Sequence, residues 1–282
     1  MKRGGGNLAE GTVYSCFSVG SVADAYDEID VPRIFIPWAK QLIEKAELRP
    51  GEEVLDVATG PGTVARLAAE KVGPTGRVVG ADISRAMLEI ARQKPRGAAA
   101  AAIHYVESPA APLTAPGSAF DVVTCQQGLQ FFPDRGAAIR EMFRVLRPGG
   151  RLVVAVWREI AMQPTFAAIE AALRECIPSD AVASYSAPFR WSSGHELAAA
   201  LRGQGFRDVK VEAHRLPLLY EGGVAQALAT IGASPVAGLV AGLSDEDRAR
   251  LRKAGERQLQ PLVKNGEVRA EMTSNIATAR KP

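Results

Sequence analysis

Val54-Leu55-Asp56-Val57-Ala58-Thr59-Gly60-Pro61-Gly62-Thr63 is an apolar run that ends in a glycine-rich turn and feeds residues with helical spacing. The length and apolar content of Glu53 to Ala58 predict a short buried strand. Gly60 and Gly62 allow a sharp turn, and they let a ligand approach the backbone without meeting a Cβ. Upstream, Arg49-Pro50-Gly51 is a turn signal. Downstream, Arg77 to Asp82 is a second short run, and Asp82 closes it 20 residues after Gly62. A carboxylate there can accept both hydroxyls of a ribose. Both features fall at strand carboxyl ends, where open α/β sheets bind ligands.

The alternation continues on both sides of this unit. Helices are predicted over 63–71, over 84–93 with Ser84 as N-cap, and over 136–146. Further strands are predicted over 103–106, 120–125 and 151–157. Ala98 to Ala102 is read as a helix tail or loop. Beyond Trp157 the pattern gives helices near 165–175 and 194–202, a long strand over 206–220, a helical segment over 223–262 and a last strand over 267–279. Before the first strand, a helix passes through Val22, Ala23 and Tyr26. Pro32 and Pro37 punctuate the chain, and helical spacing resumes at Phe35, Trp38, Ala39, Leu42 and Ile43. Strands alternating with helices imply a mainly parallel sheet covered on both faces.

Gly60-x-Gly62-x-x-Ala65 also fits a dinucleotide fingerprint. Asp56 argues against a pyrophosphate, which a carboxylate just ahead of the loop would repel. S-adenosylmethionine has no phosphate and carries an ammonium and a sulfonium, so an acidic strand end suits it. Asp56-Val57-Ala58-Thr59-Gly60-Pro61-Gly62 resembles the glycine motif of class I S-adenosylmethionine-dependent methyltransferases. Asp82 matches the acidic residue that ends their second strand. Phe120-Asp121-Val122-Val123 resembles their fourth strand, and Leu146-Arg147-Pro148-Gly149-Gly150-Arg151-Leu152 the turn before their fifth. The chain is similar to the small-molecule type of ubiquinone and menaquinone biosynthesis. The resemblance is good over residues 35–157 and holds in outline elsewhere.

The resemblance implies a Rossmann-like, doubly wound α/β fold. Its seven-stranded, mostly parallel sheet has an antiparallel last strand and a helical cap insertion over 222–265. One domain would span 1–282, with lid helices over 1–48, a cofactor-binding core over 49–157 and a substrate-side half over 158–282. The implied cofactor residues are Asp56, Ala58, Gly60, Gly62 and Asp82. Ile83 and Met87 would pack on the adenine, and Pro109 and Ala110 would flank it. Pro109 stands where many relatives carry Asp, so Ala110 would serve through its backbone. Cys125 and Gln126 would meet the amino-acid end.

Acceptor-pocket candidates are Tyr26, Gln130, Phe131 and Trp157, and Phe17 could join Tyr26 in a lid. Many relatives carry a His-His pair where Gln130-Phe131 stands before Pro133-Asp134, and Gln is no base at neutral pH. The Asn/Asp-Pro-Pro-aromatic tetrad of nucleobase methyltransferases is missing from the sequence. His104 is read as a buried strand residue, His195 as solvent-facing and His214 as a weak pocket candidate.

The implied activity is O-, C- or N-methylation of a small, largely apolar metabolite, with S-adenosylhomocysteine as product. The alternatives are a cofactor-binding cyclase or decarboxylase without methyl transfer, a nicotinamide-dependent oxidoreductase, and a non-catalytic binding module. The 282 residues carry a net charge of only +3 and no Lys/Arg block, so nucleic acid is not the expected partner. No apolar run long enough for a transmembrane helix occurs, and the N-terminus does not read as a signal peptide. Cys16, Cys125 and Cys176 stand apart, so no metal site is expected and a cytoplasmic location is. A monomer or homodimer is expected.

Overall fold

Along β1 (Glu53–Val57) successive side chains turn to opposite faces, Val54 into one core layer and Leu55 and Val57 into the other. The computed structural model, which describes residues 16–282, repeats this division along every central strand. In β2 (Arg77–Asp82) Val78 goes one way, and Val79 and Ala81 the other. In β4 (Phe120–Gln126) Val122 opposes Val123 and Cys125. In β5 (Leu146–Trp157) Val153, Ala155 and Trp157 oppose Leu152, Val154 and Val156. A sheet with two apolar faces must be covered on both.

Helices supply the cover. The first layer receives α2 (Ile36–Ala46), α3 (Thr63–Val72), α6 (Pro164–Arg174) and α11 (Asp245–Leu259). The second receives α5 (Arg135–Val145) and α8 (Gly194–Gly203). α4 (Arg85–Gln93) starts at Ser84, whose Oγ accepts the Met87 N–H at 3.3 Å, the predicted N-cap.

With β3 (Ala102–Glu107), β6 (Arg207–Tyr220), β7 (Val263–Lys264) and β8 (Glu267–Arg280), the described residues form one sheet of order β3-β2-β1-β4-β5-β8-β6. β1 to β5 are parallel. β8 runs antiparallel between β5 and β6, and the two-residue β7 pairs with it. The seven long strands are those expected. Strand order reverses between β1 and β4, and the ends of β1, β2, β4 and β5 surround that reversal, the usual place for a ligand crevice.

Three expectations need correction. Pro32 does not interrupt the chain: α1 (Gly20–Ala25), a π-helical segment (Tyr26–Phe35) and α2 follow without a break. Ile36 N–H reaches back five residues to Val31 O, and this wider register accommodates a proline that has no N–H to give. The stretch 176–193, read without an element, holds α7 (Ser179–Ser186) and a 3-10 turn (Ala187–Phe189). His104 is exposed rather than buried, because β3 is an edge strand and does not have a neighbour on both sides. The segment between β6 and β8 is helical as expected, with α9 (Gly223–Ala229), α10 (Ala237–Ala241) and α11.

Candidate functional site

After β1 the chain turns through Ala58 to Gly62 before α3 begins. Ala58 (φ 56°), Gly60 (φ 54°) and Gly62 (φ 76°) have left-handed backbone. A Cβ makes that region costly, so Ala58 must be held there. Thr59 N–H donates to Ala81 O at 3.1 Å and Gly62 N–H to Thr59 O at 2.9 Å. Thr59 Oγ1 donates to Asp56 Oδ2 at 2.6 Å, and Gly60 N–H donates to Asp82 Oδ2 at 2.8 Å. Carboxylates from two adjacent strands therefore fix the loop.

The two glycines have different surroundings. A Cβ on Gly60 would meet no described atom within 4 Å, and Gly60 lines a cavity. A Cβ on Gly62 would strike the Tyr105 ring, 2.9 Å from Cζ and 3.0 Å from Cε1. Gly62 thus makes room for a side chain of β3, and the open approach to the backbone belongs to Gly60.

Asp56 is likewise turned inward. Its Oδ1 accepts Thr124 Oγ1 at 2.8 Å, so both carboxylate oxygens are engaged by hydroxyls. Burial pushes its pKa up to about 7 against the pull of those two bonds, and the nearby Asp82 charge adds to the rise. Asp56 anchors the loop and does not line the cavity. Asp82 does line it, although buried, and its Oδ1 accepts Ser84 N–H at 2.8 Å.

The cavity gathers Ala58, Gly60, Asp82, Met87 and Gln126 from the predicted cofactor set, and Tyr26, Phe131 and Trp157 from the predicted acceptor set. Phe17 lines it too. Ile83 is 53% exposed on the surface, and Cys125 is buried beneath the strand end. Pro109, Ala110 and Gln130 are also outside the lining. Pro109 is exposed, Ala110 packs against the second core layer, and the amide of Gln130 is buried away from the cavity. His214 is absent from the lining as well, and its Nε2 stands 3.3 Å from Glu212 Oε2.

Several lining residues escaped sequence reasoning: Asp30 from the π-helical segment, Phe166 from α6, Tyr185 and Phe189 from the 176–193 stretch, Thr230 and Ser234 from the 222–265 segment, and Met272 from β8. Only Asp30 left a trace in sequence, as an acid beside the apolar Val31 and Ile34. The others come from scattered elements with no shared spacing.

Aromatic side chains form much of the wall. Phe35 lies 4.5 Å from Tyr26 and 6.1 Å from Trp157 between ring centroids, and Trp38 backs Trp157 at 5.6 Å. Phe166 lies 5.3 Å from Phe189 and 6.4 Å from Tyr185. Edge, tilted and stacked pairs of this kind hold each other in place. Gln126 Nε2 donates to Phe35 O at 3.0 Å and Ser84 Oγ to Phe17 O at 2.7 Å, which tie the N-terminal helices to the strand ends. Lys94 and Asp27 make a further ion pair between these parts.

Among the described lining residues the ionisable acids are Asp30 and Asp82, and there is no Lys or Arg. Such a wall favours a cationic or neutral ligand over a phosphate. With the open face of Gly60 it fits a nucleoside that carries a sulfonium and no phosphate. Among the described residues no helix is long and apolar enough to cross a membrane, and no cluster of three His, Cys, Asp or Glu could hold a metal ion.

Known proteins share this chain's sequence pattern and its fold. A model of the ubiE/COQ5 methyltransferase family matches residues 7–192. The ubiquinone/menaquinone biosynthesis C-methyltransferase UbiE of Escherichia coli O1:K1 is 36% identical over 155 residues, which cover 55% of this chain and 62% of that protein. The chain therefore matches less than two thirds of that relative's length. Phosphoethanolamine N-methyltransferase 2 of Haemonchus contortus, solved with phosphomonomethylethanolamine and S-adenosylhomocysteine, superposes with a TM-score of 0.60 at 17% identity, covering 97% of this chain and 60% of that one. The [4+2]-cyclase SpnF superposes with a TM-score of 0.53 at 23% identity, covering 88% and 81%. These two likenesses show the fold, a Rossmann-like sheet with flanking helices.

Proposed function

The chain belongs to the ubiE/COQ5 methyltransferase family, and we propose that it is an S-adenosylmethionine-dependent methyltransferase whose acceptor is a small, largely apolar molecule. One observation carries the reading: a single cavity joins Gly60 and Asp82 to an aromatic wall. Asp82 would hold the ribose hydroxyls, the backbone at Gly60 would lie along the cofactor, Met87 would pack on the adenine, and Gln126 would stand near the amino-acid end. Bound there, S-adenosylmethionine supplies a methyl group made electrophilic by a positively charged sulfur.

The protein's share of the work is placement and exclusion of water. The rings of Phe35, Trp157 and Phe166 give the acceptor an apolar seat, and water expelled from it no longer competes for the methyl group. In this reading the described part of the expected 1–48 lid, residues 16–48, covers the cavity, residues 1–15 lying outside the described residues, and 222–265 is a cap that supplies Thr230, Ala233 and Ser234. The reading extends to a cytoplasmic monomer or homodimer that does not bind nucleic acid. The free thiols Cys125 and Cys176 and the low net charge support it.

The test is incubation with methyl-labelled S-adenosylmethionine and a panel of candidate metabolites. Release of S-adenosylhomocysteine with a product heavier by one methylene supports the proposal. Tight cofactor binding with an unchanged cofactor and a rearranged or decarboxylated substrate would instead favour the cyclase or decarboxylase reading, which a cyclase with the same fold makes worth separating.

A further inference from the structure

Outside the main cavity, α3, the end of α4 and the edge strand β3 border a second hollow of about 320 Å³. Arg66, Arg92, Lys94 and Arg96 line it beside Tyr105, and no described acidic residue does. The main cavity has the opposite character, with two acids and no Lys or Arg, and the two linings share no residue. Lys94 is paired with Asp27. The arginines have neutral partners: Arg66 Nη1 donates to Pro61 O at 2.7 Å, Arg92 Nη2 to Tyr105 O at 3.1 Å, and Arg96 Nη1 to Ala101 O at 2.7 Å and Ala100 O at 3.2 Å. A carbonyl orients a guanidinium but leaves its charge in place. Like charges gathered at one spot repel, so the cluster needs a reason. The negative end of α4 accounts for Arg92 and Lys94, which stand in and just past its last turn. It does not account for Arg66, in the first turn of α3, where the helix dipole disfavours a cation. Nor does it account for Arg96, which reaches the carbonyls that lead into β3.

We propose that this hollow is a binding site for a diphosphate group, free or carried on a small organic molecule. A guanidinium has five N–H donors in a planar fork, and the bonds above leave donors over on each arginine. Such forks match phosphate oxygens two at a time, and Lys94 adds a point charge. A lone carboxylate brings one charge and two oxygens, too few for four cations. A diphosphate brings several charges and enough oxygens to meet groups arriving from two helices and a loop. The cations converge on one concave place, which suits a compact anion. A nucleic-acid strand would need them laid out along a stripe. A ligand held by Arg66 would stand one hydrogen bond from the glycine loop, because the same side chain holds Pro61 O.

The test is calorimetry on the full-length protein with inorganic diphosphate, uridine diphosphate and sulfate, with and without S-adenosylhomocysteine, at one low ionic strength. The parent should bind inorganic diphosphate at least tenfold more tightly than sulfate. Arg66→Gln and Arg96→Gln should each weaken it about tenfold, as the loss of one charge-assisted contact allows. Arg96 does not bond to the glycine loop, so Arg96→Gln decides the matter if Arg66→Gln does not fold. Arg85→Gln removes an equal charge from an exposed part of α4 outside the hollow and should change the affinity less than about twofold. S-adenosylhomocysteine should not displace the anion. Uridine diphosphate bound at least as tightly as the inorganic anion would identify the carried group as the ligand, and weaker binding the free anion; either keeps the site. Four results overturn it: no binding of inorganic diphosphate, sulfate bound equally well, displacement by S-adenosylhomocysteine, or a loss in Arg96→Gln no larger than in Arg85→Gln. A uridine oligonucleotide that binds where inorganic diphosphate does not would also overturn it, in favour of a nucleic-acid face.

Discussion

Asp82 Oδ2 accepts the backbone N–H of Gly60 at 2.8 Å, and Asp82 Oδ1 accepts that of Ser84 at the same distance. One carboxylate therefore joins the glycine loop after β1 to the first turn of α4 and also forms part of the cavity wall. Its removal should do two separable things. Asp82→Ala is expected to lower thermal stability, because two charge-assisted hydrogen bonds are lost, at about 1–3 kcal/mol. It should also weaken S-adenosylhomocysteine binding tenfold or more. Calorimetry on the folded variant that returns parental affinity would remove Asp82 from the cofactor site.

Gly60 and Gly62 make a second, contrasting pair. Gly60→Ala points a methyl into open cavity, so the protein should fold with a modest loss for its positive φ and lose cofactor affinity. Gly62→Ala meets Tyr105 as well as a positive φ, so stability should fall by about 1–3 kcal/mol. Thermal melts and calorimetry on the two variants should give opposite rankings. The same ranking in both measurements would refute the assignment.

Asp56 gives a pH signature. Its pKa is raised from 3.8 to about 7 in the folded chain, so the native state holds a proton that the unfolded state has released over that interval. The stability this contributes is complete below about pH 4 and is lost as pH rises through 7. Asp56→Asn keeps a partner for Thr59 and Thr124 and removes the titration. The difference in unfolding free energy between parent and variant should shift against the parent by a few kcal/mol from pH 4 to pH 8. A difference that stays flat across this range would show that Asp56 titrates normally.

The 222–265 segment can be tested without knowing the acceptor. Ala233→Trp and Ser234→Trp add bulk to the cavity wall from the cap side. Labelled methyl transfer to a metabolite extract should fall at least tenfold, while S-adenosylhomocysteine affinity changes less than threefold. Loss of cofactor affinity instead would mean that the segment borders the cofactor and not the acceptor.

The sequence made the cofactor half legible because its information is local. Strand, glycine turn and helix follow one another over 53–93, and Asp82 is placed by spacing alone. Asp56 shows the limit of that reasoning. Its position at a strand end was read correctly, but whether its carboxylate faces a ligand or two hydroxyls depends on Thr124, 68 residues away. The rest of the cavity wall is mostly illegible for the same reason. Asp30, Phe166, Tyr185 and Met272 meet only after the sheet has closed, and nothing in their spacing announces it. Pro32 is tolerated because the wider register of the π-helical segment asks no N–H of it, and residue spacing alone carries no sign of that register.

β8 lies between β5 and β6, and it is the last strand of these residues to be made. A ribosome delivers a chain in order, so β1 to β5 can pair while the rest is still being synthesised. β6 then waits beside an empty lane in the sheet, with its row of backbone donors and acceptors uncovered. Met272 on β8 reaches the cavity only when that lane is filled. The nascent chain would thus pass through a stage in which the crevice at Gly60 and Asp82 has formed and the wall completed by Met272 has not. Ribosome-bound chains stalled before Glu267 should protect 53–157 from protease and leave 207–220 open to cleavage. Early protection of both segments would mean that β6 finds another partner first.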